Sequence, residues 1–146
     1  MKSSEFNWDK LRVSLAYTAN PAAGAQPAAI TVPASQVFQF RGGGYLVTTD
    51  ANIVNRYPFC GTKDDGTNYH MRAISLLPIT ASLTAAEAWF VPGAASGGPV
   101  GSGLSQTIGI APLEVDAAGV IQFGLASIQV GDDIGVVYYK VKKLIL

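Results

Sequence analysis

The sequence is short of the residues that carry chemistry. Its 146 residues include one cysteine, Cys60, and one histidine, His70. A lone cysteine excludes an internal disulfide framework and favours a reducing compartment. A structural zinc site takes four Cys or His ligands, and two are available. A serine hydrolase needs a base beside its nucleophile, and the G-x-S-x-G elbow is absent. Cys60 and His70 stand ten positions apart across a polar turn, with no carboxylate placed to orient them. The expectation is a packed Cys60 and an exposed His70 beside Tyr69, and no enzyme, cofactor, metal or small-molecule substrate.

Charge is scarce as well. Charged residues make up 14% of the chain, where soluble domains carry about 25%. Ten Lys and Arg balance ten Asp and Glu, which is poor material for nucleic-acid binding, since that affinity rests on neutralising phosphates. Residues 13–39 and 88–113 lack charge entirely, but Pro21, Pro27, Pro33, Pro92 and Pro99 interrupt them. Neither can be a membrane-spanning helix. The first residues, Met1-Lys2-Ser3-Ser4-Glu5, show no apolar core of a secretory signal.

What is present is a Gly- and Ala-rich chain that is 49% hydrophobic and long enough to bury about two-thirds of its surface as one domain. Residues 1–12 form a polar arm bearing Phe6, Trp8 and Leu11. Either the arm docks on its own core, or it lays its aromatics into a groove on another chain. Val13–Tyr17 alternates like a half-buried strand. Residues 19–34 are an Ala/Pro-rich loop or linker, and residues 36–146 form the β body.

Val37, Phe38 and Phe40 signal one strand and Tyr45–Thr49 the next, with Gly42-Gly43-Gly44 as the hairpin connection or bulge between them. No lysine and hydroxyl pair follows the glycines, so they are no phosphate loop. Lys63–Asn68 reads as a turn, and its acids do not match a calcium-loop spacing. Arg72–Ile79 reads as a strand that Pro78 confines to an edge or end. Thr84–Glu87 has capping-box spacing, but Pro92 leaves too little room for a stable helix, and Glu87–Val91 is preferred as a strand. Pro92–Ser105 is a Gly-rich loop. Thr107–Ile110, Val120–Phe123, Ser127–Val130 and Ile134–Lys140 follow as short strands.

Many short strands with regular turn signals indicate an all-β protein, an antiparallel β-sandwich or small barrel. Asp64-Asp65 and Asp132-Asp133 sit beside Gly in turns, where Asp is favoured for backbone reasons. Seven aromatics, Trp8, Tyr45, Tyr57, Tyr69, Trp89, Tyr138 and Tyr139, either build the core or offer platforms to sugars. Charge is also uneven. Five acids and no Lys or Arg lie between Ala73 and Tyr139, while the last seven residues carry three lysines. Such asymmetry can orient one copy against a neighbour.

In size, composition, the Ala/Pro-rich segment 19–34 and the apolar, strand-rich C-terminal half, the chain resembles the small head decoration (cement) proteins of tailed bacteriophages. The resemblance implies a β-sandwich or small barrel made in the host cytoplasm and carried on the capsid surface of the virion. It also implies homotrimers clamping neighbouring copies of a major capsid protein, with no nucleic-acid or membrane partner. Phe6, Trp8 and Leu11, with Trp89 and Phe90, are the candidate protein contacts. A β-sandwich module or fibre head that binds a glycan is the alternative.

Overall fold

A computed structural model describes residues 7–64, 67–94, 96 and 105–146. They form two packed sheets. β1 (Ser14–Thr18), β3 (Gln36–Thr48), β6 (Ala86–Pro92), β7 (Ser105–Ile110) and β11 (Val137–Ile145) build the larger one in the order β1-β11-β3-β6-β7, with β8 (Leu113–Val115) and β10 (Asp133–Ile134) also paired to β3. β2 (Ile30–Thr31), β4 (Tyr57–Lys63), β5 (Tyr69–Ile74) and β9 (Val120–Ala126) build the smaller one in the order β2-β9-β4-β5. This is the all-β sandwich expected from the strand spacing, and the sheets do not close into a barrel. One pairing departs from a purely antiparallel plan, because β6 and β7 run parallel.

The core is made where the inward residues of the two sheets meet. Phe123 of β9 stands between Phe40 of β3 and Phe90 of β6, each pair edge-to-face at 5.8 Å between ring centres. Such geometry adds to the burial energy of the rings. Tyr45 of β3 reaches across the sandwich and donates its hydroxyl to the Gly124 carbonyl. Cys60 is packed in the same core.

The structure decides some sequence readings and changes others. Of the two readings of Gly42–Gly44, the structure has the bulge and not the hairpin connection: β3 continues through them, and its register against β11 shifts between Phe40 and Gly43. A β-carbon at Gly44 would strike the Trp89 ring and the Ala88 carbonyl, and one at Gly43 would strike β11. These glycines let neighbouring chains approach a long central strand, with Gly42 taking the positive φ of 86° that irregularises it. Ser127–Val130 is a turn rather than a strand, begun by Ser127 at φ 62°. The strand expected over Arg72–Ile79 ends at Ile74, where the Ser75 hydroxyl accepts from the Leu77 N–H and closes a turn ahead of Pro78. The strand preferred over Glu87–Val91 is present as Ala86–Pro92, with Thr84 and Ala85 in the bend before it and no helix.

The Ala/Pro-rich loop is docked on its own chain. The Gln26 side chain donates to the Leu125 carbonyl at 2.8 Å and accepts from its N–H at 2.9 Å, imitating a strand partner along β9. The arm folds back too. Trp8–Lys10 make a 3-10 turn, and Trp8 packs with Val37, Leu144 and Leu11. Its indole donates to Glu114 at 2.6 Å, and Lys142 donates to its carbonyl at 3.0 Å. Phe6 lies outside the described residues.

Candidate functional site: a braced loop end and an apolar sheet face

Three loops meet at one end of the sandwich, around a guanidinium that water does not reach. Arg56, just before β4, and Asp132, just before β10, are both fully buried. Arg56 Nε and Nη2 each donate to the Asp132 carboxylate at 2.9 Å, a two-pronged pairing that suits the planar fork of arginine. Nη2 also donates to Asp50 at 2.6 Å, and Nη1 donates to the carbonyls of Asn52 and Val54 at 2.9 and 2.6 Å. Every guanidinium N–H is therefore used.

The carboxylates extend the brace into the backbone. Asp132 accepts the N–H groups of Gln129 and Asp50. Asp50 accepts those of Asn52 and Gly131. The Asp132 carbonyl accepts from Gly24, which ties in the Ala/Pro-rich loop. Partial burial raises the Asp50 pKa. The Asn52 and Gly131 N–H groups, the Asn52 amide and the Arg56 charge outweigh it and hold the carboxyl below its usual range. An ion network of this quality does not by itself add much stability over an apolar packing, but it fixes geometry.

What it fixes are two side chains in water. Ile53, on the loop between β3 and β4, is 96% exposed, and Val130, on the turn between β9 and β10, is 83% exposed. Sequence reasoning missed both. The available signal was Ile53-Val54 standing between turn formers Asp50, Asn52 and Asn55, an apolar pair that no strand claims.

A second apolar area covers the outer face of the larger sheet. One register line crosses it through Tyr17, Tyr138, Gly44, Trp89 and Thr107. The rings of Tyr17 and Tyr138 lie 6.4 Å apart. The Trp89 ring covers Gly44, and its N–H donates to Glu87 at 3.3 Å. Leu15 and Tyr17, on the edge strand β1, are 65% and 71% exposed. Long apolar edges of this kind invite pairing with other chains.

Of the five residues read as protein contacts, Trp89 lies on this open face. Trp8 is buried against the larger sheet with Leu11 packed partly buried beside it, and Phe90 is core. Of the aromatic platform, Trp8 and Tyr45 are buried and Tyr139 packs against the core. Tyr17, which sequence reasoning did not select, joins Tyr138 and Trp89.

The sparse chemistry stays apart. Burial pushes the Cys60 thiol far above its ordinary pKa, while His70 is exposed on β5. Asp132 faces Arg56 and Asp133 faces water, so they are no acid pair. The Asp64-Asp65 turn lies partly outside the described residues. A cleft beside β5 brings His70, Asp64, Glu114 and Asp116 to its walls, but Glu114 is engaged by Trp8. No group of three or more His, Cys, Asp or Glu among the described residues could hold a metal. No helix among the described residues is long and apolar enough to cross a membrane. The chain matches no family model, no curated protein and no solved structure.

Proposed function

We propose that the chain is a structural protein of a virion: a decoration, or cement, subunit that docks on the assembled head of a tailed bacteriophage through its major capsid protein. The observation that carries this reading is the braced loop end, which holds Ile53 and Val130 in water on a buried Arg56–Asp132 frame. Loops ordered before binding spare the complex the entropy of ordering them. Burying both side chains against a coat protein contributes on the order of 1.5 to 3 kcal/mol each. Stabilisation of the shell follows by mass action. A ligand that binds only the assembled state, present at about 100 times its Kd, adds about 2.7 kcal/mol per site.

The test is binding of the purified chain to heads that lack it, followed by co-sedimentation. Ile53→Asp together with Val130→Asp should lower affinity at least a hundredfold with the thermal midpoint unchanged. Undiminished binding by the double variant would refute the docking mode, and no binding by the parent chain would refute the function.

The exposed row of Tyr17, Tyr138 and Trp89 favours one other reading, a glycan-binding module that stacks sugar rings on these faces. Retention on immobilised glycans, lost in Trp89→Ala, would favour it over the shell.

A further inference from the structure

The outer face of the larger sheet carries its charges in two bands, separated by the aromatic row. On one side stand Arg41 and Lys140, which share a shallow hollow with Val13; beyond them Lys142 and Glu114 are engaged by the Trp8 carbonyl and indole, and with these four side chains that side stays net positive. On the other stand Glu87, opposite Leu46 in the ladder, and Asp133, opposite Thr48. Tyr17, Tyr138 and Trp89 occupy the middle, and no charged side chain lies on their register line. The face is thus positive toward one end of its strands, apolar across the centre and negative toward the other end.

We propose that this face pairs with the same face of a second copy of the chain, about a two-fold axis lying along the aromatic row. Such an axis reverses the strand direction between copies and keeps the position across the sheet. Arg41 and Lys140 of each copy then lie over Glu87 and Asp133 of the other, and the aromatic row lies over itself. A two-fold axis parallel to the strands would set like bands over each other, which is repulsive. Isologous pairing makes every such contact occur twice. Packed sheets stand about 10 Å apart, a gap that opposing arginine, lysine and glutamate side chains span.

Area sets the strength. Five strands at about 4.8 Å spacing and about six residues along each give roughly 480 Å² per copy. The total, close to 1,000 Å², is at the low end for a specific interface. An interface at this size limit is weak and concentration-dependent, and it forms where copies are crowded together. It uses different side chains from the Ile53 and Val130 tip, and it replaces the three-fold clustering implied by the family resemblance with a two-fold contact.

Sedimentation velocity of the full chain from about 5 to 500 µM tests this. The expected result is a monomer–dimer equilibrium that weakens about tenfold on raising salt from low to high, since screening acts on such bands. An acidic-face variant, Arg41→Glu with Lys140→Glu, and a basic-face variant, Glu87→Lys with Asp133→Lys, should each be monomeric alone. Mixed together they should form a one-to-one dimer. A parent chain that stays monomeric throughout, a trimer, or a dimer indifferent to the charge variants overturns the proposal. Should a charge variant fold poorly, Tyr17→Asp on the edge strand is the substitute, and a dimer that persists in it overturns the proposal equally. Shell binding is read in a separate assay, so failure of one does not imply failure of the other.

Discussion

Replacing Arg56 by methionine removes five hydrogen bonds at once and keeps most of the side-chain volume. The cost comes mainly from what is left behind. Asp132 remains a fully buried carboxylate with two backbone N–H donors, and the carbonyls of Asn52 and Val54 lose the donor they share. Breaking a buried pair by removing one partner costs about 3 to 5 kcal/mol. For a chain of this size that lowers the thermal midpoint by about 10 to 15 °C. Arg56→Lys should recover little, because an ammonium cannot reproduce the planar fork. Arg56→Met combined with Asp132→Leu should recover more than half, since no unpaired buried charge remains. Calorimetry and urea unfolding of the three variants measure this. A loss below about 1 kcal/mol in Arg56→Met, or a double variant worse than the single one, would refute the reasoning. Where Arg56→Met is still folded, its affinity for heads should fall although Ile53 and Val130 are untouched, because their loops have lost the brace.

Phe123→Ala removes the ring shared by Phe40 and Phe90 and should cost about 3 to 5 kcal/mol in urea unfolding. Cys60 should resist thiol reagents in the native state and react only on unfolding, because it is buried and its thiol pKa is raised; fast native labelling would place it wrongly. Asp50 has a folded pKa held below its ordinary value. Its contribution is therefore complete above the unfolded carboxylate pKa of about 3.9 and is lost as pH falls through the folded one. Thermal midpoints from pH 6 downward should show that loss, and Asp50→Asn should reduce it.

Much of the sandwich was legible because strand alternation and turn composition are local signals. Glu87–Val91, Val120–Phe123 and all of Val13–Tyr17 but its first residue fall in strands of the structure. Gly42–Gly44 left hairpin connection and bulge open because a glycine run has one composition whether it turns the chain or admits a neighbour, and only the Trp89 ring and the β11 register decide for the bulge. Ser127–Val130 is apolar enough for a strand, but Asp132, capping Gln129, closes it as a turn. The candidate site was mostly illegible for a reason of distance. Asp132 reads locally as a turn acid, and its partner Arg56 lies 76 positions away. Trp8 reads either as docking on its own core or as an anchor for another chain, and the carboxylate that decides for the first is 106 positions away. Of the four contact candidates among the described residues, Trp89 alone lies on an open face, where its β6 register puts it on the row of Tyr138. The charge asymmetry was visible as blocks along the sequence, but folding recasts it as two bands across one sheet.

The most direct measurement is gradient sedimentation of the native source lysate, with this chain located in each fraction by mass spectrometry. The account predicts migration with megadalton particles that also contain a coat protein. Migration at the size of one or two copies, with none in the particle fractions, would contradict it.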